Sequence, residues 1–152
     1  MYLEGIFRSK WFSKFINHWF FSGNNYKAEK LFYLSFYFLK KKLNCCPVYF
    51  FFEALEKIKP FISLKLYKKK HKKKKVVKII AIPFFATLPL QYKKAIFWLS
   101  KSIQLRFEIF LKSKVSNELY FINVLNSGES LKKKMEYYKY AVMFKATKRF
   151  KW

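Results

Sequence analysis

A run of lysines between two strand-like segments constrains the fold of this chain more than any other feature. Seven lysines and His71 occupy positions 68–75. Residues 62–66 alternate between apolar and polar side chains, and residues 76–82 are rich in β-branched side chains, so both flanking segments are typical of β-strands. We therefore predict a β-hairpin whose tip carries a concentrated positive charge, which suits a strongly anionic target.

The remainder of the chain has the apolar spacing of helices, interrupted by turn residues. In the second helix we expect Leu31, Leu34 and Phe38 to share the apolar face. The predicted fold class is mainly α: a six-helix domain with one protruding basic β-hairpin between helices three and four. We expect a single domain over residues 1–152 with a hairpin arm at about 61–83. The predicted helices lie at about residues 11–20, 26–42, 47–59, 89–103, 107–125 and 129–148.

The composition indicates a folded polyanion-binding protein. Lys and Arg number 33 against eight glutamates and no aspartate, giving a formal net charge of +25. Disordered basic tails lack aromatics, whereas 23% of these residues are aromatic, so we expect a folded core. The longest uncharged stretch, residues 79–92, contains two prolines and is too short to span a bilayer.

The sequence contains no arrangement of residues that predicts an enzyme, a cofactor or a metal site. Neither histidine has a cysteine or carboxylate nearby, and no glycine-rich phosphate loop is present. His18 is interpreted as a packing residue, and Cys45 and Cys46 as free thiols because neighbouring cysteines rarely form a relaxed disulfide. Glu53 and Glu56 are expected to pair with nearby lysines.

Cations outside the hairpin extend the predicted basic surface. Residues 93–94 and 132–134 are lysines placed early in their helices, where they oppose the helix dipole, so an external anion would explain their position. The C-terminal residues 148–152 alternate cations with aromatics, which suits phosphate contact and base stacking. Each group has an alternative interpretation. The lysine run of the hairpin could be a solvated loop, and residues 93–94 and 132–134 could lie on ordinary exposed helix faces. Residues 148–152 could be a frayed tail with a packed tryptophan.

The order of these elements resembles the family of small-subunit ribosomal protein seven. The resemblance begins at Phe15-Ile16-Asn17 with Gly23, continues through residues 53–60 into the basic hairpin, and covers roughly residues 12 to 152. The other matching segments are Ile82-Pro83, Pro89 with Lys93-Lys94, Ala95 and Trp98, Ser116-Asn117-Glu118-Leu119, Gly128, Lys132–Lys134 and Lys151-Trp152. Two features depart from the family: its basic N-terminal arm is reduced to Arg8, Lys10 and Lys14, and lysines replace the usual tip glycines.

The resemblance implies a structural protein that binds small-subunit rRNA and organises the head of the subunit. It also implies that the ribbon and C-terminus lie near the exit-site tRNA and the mRNA path, with ribosomal protein eleven across the cleft. The predicted RNA-binding residues are Lys65, Lys68, Lys69, Lys70, Lys72, Lys73, Lys74, Lys75, Lys93, Lys94, Lys132, Lys133, Lys134, Lys148, Arg149 and Lys151.

The abundance of Phe, Tyr, Lys and Ile is typical of an AT-rich genome, so we expect a mitochondrial ribosome, with a plastid as the alternative. Two other functions remain open. One is a cationic, aromatic-rich protein lying on an anionic membrane, and the other is a general nucleic-acid chaperone.

Overall fold

The computed structural model of the protein describes residues 9–19, 24–44, 46–70 and 77–146. Within these ranges, six helices and one antiparallel hairpin between the third and fourth helices confirm the predicted fold class. The hairpin tip at 71–76 and the C-terminal residues 147–152 lie outside the described residues. The elements are α1 Lys10–Trp19, α2 Asn25–Leu43, α3 Pro47–Ile58, β1 Ile62–Lys70, β2 Val77–Phe85, α4 Leu88–Leu105, α5 Leu111–Asn123 and α6 Glu129–Ala146.

Local sequence signals set the helix boundaries. Asn24 caps α2 by accepting a hydrogen bond from the backbone N–H of Lys27 at 3.2 Å, and Asn44 ends the helix with a φ of 51°. Pro47 and Pro89 lie in the first turns of α3 and α4, where a missing N–H removes no helical hydrogen bond. These helices therefore begin and end where the sequence provides caps and breakers.

Aromatic side chains form the centre of the core. Phe51 of α3 is fully buried, with ring centroids 5.7 Å from Phe12 and 5.0 Å from Phe15 of α1. Phe32 and Phe36 of α2 complete the cluster. Smaller apolar side chains from all of the first five helices surround this cluster; those of α4 and α5 include Ile96, Leu99, Ile103, Val115, Leu119 and Ile122.

The predicted apolar face of α2 is wrong. Leu34 and Phe38 are exposed and Leu31 is only half-buried, whereas Phe32 and Phe36 lie in the core. Apolar and aromatic residues occur all around this helix, so several faces have the correct spacing. Packing against α1 and α5 selects among these faces.

Helix α5 begins at Leu111, four residues later than the predicted Phe107, because polar contacts hold the preceding segment. Arg106 is ion-paired with Glu108 at 2.9 Å and with Glu118 at 2.8 Å. The carboxylate of Glu118 is fully buried and also accepts hydrogen bonds from the backbone N–H and hydroxyl of Ser130, at 3.1 and 2.8 Å. This network connects the segment before α5 to the first turn of α6.

Gly128 is required where the α5–α6 turn closes over this network. A Cβ at this position would lie 2.5 Å from Cγ1 of Ile122 and 3.2 Å from Oε1 of Glu118. The left-handed backbone of the turn is adopted by Asn126, with a φ of 48°. The glycine is therefore needed for close packing.

The Arg106 network also predicts how the stability of the protein depends on pH. The hydrogen bond from Arg106 lowers the pKa of Glu108 from 4.5 to about 2. Because the folded-state pKa is depressed, the carboxylate stabilises the fold fully above about pH 4.5, and this stabilisation is lost as pH falls through about 2. In urea unfolding at pH 2 to 6, we expect Glu108→Gln to lose less stability on acidification than the wild type. Identical pH dependences in the two proteins would contradict this assignment.

Candidate nucleic-acid interface

The two hairpin strands pair over nine residues each, from Ile62 opposite Phe85 to Lys70 opposite Val77. At about 3.4 Å per residue, strands of this length extend roughly 30 Å. Lysines concentrate toward the tip, at Lys68–Lys70 on β1, while Lys65 is exposed nearer the body. Lys72–Lys75 lie outside the described residues.

The register places like charges opposite each other near the tip. Lys69 of β1 is directly paired with Lys78 of β2. The sequence thus supplies cations from both strands at this end of the hairpin, which favours a polyanionic partner.

The alternating apolar residues of β1 do not line the core. Leu66 is 67% exposed, whereas Ser63 is only 2% exposed. Pro83 remains inside β2, which continues to Phe85. The hydrogen bond from the Ala86 N–H to the Phe61 carbonyl, at 2.9 Å, implies by alternation that Pro83 occupies a non-hydrogen-bonded pair, where its missing N–H removes no ladder bond.

Among the predicted body contacts on α4, Lys93 and Lys94 have different surroundings. Lys93 is exposed, whereas Lys94 is half-buried. The ammonium group of Lys94 donates hydrogen bonds to Oγ of Ser63 and to the hydroxyl of Tyr137. Two neighbouring lysines that look equivalent in the sequence therefore lie in different environments.

The three lysines of α6 also differ from one another. Lys132 is exposed and paired with Glu129 one turn away. Lys133 and Lys134 are half-buried, and burial lowers the pKa of each. Lys134 donates to the Lys57 carbonyl at the end of α3, at 2.6 Å, where a cation complements the helix dipole.

A basic cleft between α1 and α4 was not predicted from the sequence. Lys14, Asn17 and His18 of α1 line a cavity of about 430 Å³ together with Lys93 and Ile96 of α4. His18 is exposed, and its ring centroid lies 5.5 Å from that of Phe97. The sequence signal was the polar stripe at positions 10, 14, 17 and 18, which has helical spacing opposite the aromatic face of α1.

Aromatic side chains are exposed on the outer surface of α2. Tyr26 and Tyr37 are 74% and 70% exposed, and the lysines at positions 30 and 41 are also exposed on this helix. Exposed tyrosines beside cations are typical of surfaces that contact other macromolecules.

The described part of the chain gives no support to a metal site or a membrane span. No cluster of three or more His, Cys, Asp or Glu residues occurs there with metal-binding geometry. None of the described helices is long and apolar enough to cross a bilayer. Cys46 is an exposed free thiol, and Glu53 and Glu56 pair with Lys57 and Lys59 as expected.

Comparison with known proteins matches residues 2–145 to the model of the family described as ribosomal protein S7p/S5e. Small ribosomal subunit protein uS7 of Mycoplasma mycoides is 30% identical over 150 residues, covering 98% of this chain and 92% of the relative. The uS7 protein of Nitratidesulfovibrio vulgaris is also 30% identical, with 98% and 91% covered. Small ribosomal subunit protein uS7m of Reclinomonas americana is 28% identical over 149 residues, with 98% and 89% covered.

The match includes all the described helices except the last residue of α6, and both strands of the basic ribbon. It therefore covers the fold and the candidate interface together. The chain belongs to the ribosomal protein S7p/S5e family.

Proposed function

We propose that this protein is a structural constituent of a small ribosomal subunit, in which it binds rRNA through its basic ribbon and helical surface. The observation that carries the proposal is the family match along residues 2–145, which includes the lysine-rich hairpin. The formal net charge of +25 supports extensive phosphate contact. In this role, the protein performs no chemistry and neutralises phosphates where RNA helices converge.

The proposed RNA contacts form two groups. On the ribbon they are Lys65, Lys68–Lys70 and Lys72–Lys75, and on the body they are Lys93 and Lys132–Lys134 together with Lys14 of the α1–α4 cleft. Lys148, Arg149 and Lys151 remain predicted contacts beyond the described residues. Lys94, also a predicted contact, has its ammonium group engaged within the protein.

The family resemblance supports finer assignments that we include in the proposal. The whole chain, residues 1–152, acts as one domain that organises the head of the subunit. Its ribbon and C-terminus lie near the exit-site tRNA and the mRNA path, with ribosomal protein eleven as a neighbour. The amino-acid composition is typical of an AT-rich genome, and one relative is mitochondrial. Both observations support the assignment of this protein to a mitochondrial ribosome.

Neighbouring ribosomal proteins are the proposed partners of the exposed aromatic residues. The outer surface of α2 presents Tyr26 and Tyr37, and the segment before α5 presents Phe107, which is fully exposed. Protein interfaces are enriched in such aromatic side chains, whereas isolated domains rarely expose many of them together.

Sedimentation of organelle extracts tests the proposed function. The protein should migrate with small ribosomal subunits after detergent treatment and dissociate as salt is raised, because counterion release weakens phosphate contacts. The exposed aromatic residues also fit a cationic protein lying on an anionic membrane. Release from particles by detergent alone, with reassociation to anionic vesicles, would overturn the ribosomal assignment in favour of that alternative.

A further inference from the structure

We propose that Lys94, Tyr137 and Tyr138 fix the direction in which the ribbon leaves the helical body, and that Lys94 is a positioning residue rather than a phosphate contact. These three residues, called here the ribbon anchor, belong to α4 and α6. They contact the first residues of β1 and the residue before it. The contacts form within the protein itself, so the positioning role does not depend on the proposed function, and only the comparison with phosphate contact rests on it.

The two tyrosines bind the backbone at the root of β1. The hydroxyl of Tyr137 accepts a hydrogen bond from the N–H of Leu64 at 2.6 Å, and that of Tyr138 accepts one from the N–H of Phe61 at 3.0 Å. The Leu64 N–H points away from β2, because Leu64 and Pro83 form a non-hydrogen-bonded pair. The two adjacent tyrosines of α6 thus satisfy the amide of Leu64 in β1 and the amide of Phe61 just before it, and these two points define the direction of the strand.

Lys94 connects the same place to α4. Its ammonium group donates to the buried hydroxyl of Ser63 at 2.8 Å and to the hydroxyl of Tyr137. It also lies 4.1 Å from the centroid of the Tyr137 ring, within the range of a cation–π contact. Trp98 of α4 also packs edge-to-face against Tyr137, with 5.2 Å between ring centroids.

Ser63 explains why β1 buries a polar side chain while its apolar Leu66 is exposed. Its small side chain allows the strand to approach α4 and α6, and its hydroxyl accepts the hydrogen bond that its buried position requires. Two of the three ammonium donors of Lys94 are engaged with Ser63 and Tyr137, and turning the group outward to meet a phosphate would break both contacts. Lys93, which is exposed at the next position, can reach an external anion without such a cost.

The ribbon needs an anchor because a two-stranded hairpin is marginally ordered by itself. Helix α6 lies against both strands, but Leu66 is already two-thirds exposed. Rotation of the ribbon about its first residues would break the hydrogen bonds at Phe61, Ser63 and Leu64 together. The orientation of the distant lysine-rich end is therefore controlled at its root.

Spin-label distances in the free protein test the anchor. Labels would be attached at Leu66→Cys on β1 and Tyr26→Cys on α2, with Cys45 and Cys46 replaced by serine. In Lys94→Met and in the Tyr137→Phe/Tyr138→Phe double variant, we expect the width of the distance distribution to increase at least about twofold, since the hairpin loses hydrogen bonds that hold its first residues against the body. Lys94→Arg should restore a narrow distribution, because a guanidinium can donate to both oxygens.

Matched controls use neighbours that lack the anchor contacts. Lys93→Met changes the lysine next to Lys94 on α4. Tyr140→Phe removes a hydroxyl from an exposed tyrosine of α6, the helix that carries Tyr137 and Tyr138. Both should leave the distribution unchanged. Circular dichroism would confirm that each variant retains its helices; Tyr→Phe changes keep the rings and their packing. Distance distributions of equal width in the wild type, Lys94→Met and the double tyrosine variant would overturn the proposal that these residues anchor the ribbon.

A salt titration separates positioning from phosphate contact at Lys94. The background is a protein in which all the proposed ribbon contacts, Lys65, Lys68–Lys70 and Lys72–Lys75, are replaced by serine, so that the direction of the ribbon no longer affects affinity for small-subunit rRNA through them. There, Lys93→Met should reduce the slope of log K against log salt by about 0.7–0.9, and Lys94→Met should leave it unchanged. An equal reduction with Lys94→Met would show that Lys94 binds phosphate.

Discussion

We expect the Glu118→Ala variant to lose about 3–5 kcal/mol of unfolding free energy, the cost of breaking a buried ion pair from one side. The carboxylate is fully buried and accepts hydrogen bonds from Arg106 and from both the N–H and the hydroxyl of Ser130. Its removal leaves the buried Ser130 groups without their acceptor and weakens the connection between α5 and α6. Urea unfolding of the isolated protein measures the change.

The matched control for this variant is Glu53→Ala. Glu53 also forms an ion pair, with Lys57 at 3.2 Å, but both side chains are about one-third exposed. Surface pairs contribute about 0–1 kcal/mol, so this variant should unfold close to the wild type. A loss below about 1 kcal/mol for Glu118→Ala would mean that water or a rearranged side chain replaces the carboxylate.

The helices and the hairpin were predictable because their signals are local. Period, caps and proline positions indicated each described element, although α5 begins four residues late, and the change to two-residue alternation at residue 62 correctly placed the start of β1. The resemblance to the ribosomal protein seven family is confirmed by the family match. Because that family is structural, the prediction that the chain is not an enzyme is also confirmed.

The side-chain environments were less predictable because they depend on residues distant in sequence. Spacing alone could not identify the buried face of α2, where aromatics occur on every side. Glu118 lies within an apolar stripe that looked complete without it, and its partners Arg106 and Ser130 are each 12 residues away. Likewise, Lys94 resembles Lys93 in sequence, and only the arrival of β1 and α6 distinguishes them.

Replacing seven of the ribbon lysines, Lys68–Lys70 and Lys72–Lys75, with serine should greatly weaken rRNA binding. Each lost phosphate contact lowers the slope of log K against log salt by about 0.7–0.9, so three contacts would lower affinity by about 10²–10³-fold at 0.1 M salt. The helical body should remain folded, because the core residues lie on the helices. Filter binding of small-subunit rRNA across a salt series, with circular dichroism of the free protein, measures both effects.

A charge-matched control distinguishes ribbon contacts from loss of net charge. Seven exposed lysines elsewhere can be replaced by glutamine, giving the same formal charge. They are Lys27, Lys30, Lys40, Lys41, Lys101, Lys112 and Lys139. If long-range attraction alone produced binding, both variants would lose affinity equally, and the ribbon would have no special role. We expect the ribbon variant to lose more affinity and a larger part of the salt slope, because its seven cations are concentrated within positions 68–75, where one RNA backbone can contact several at once.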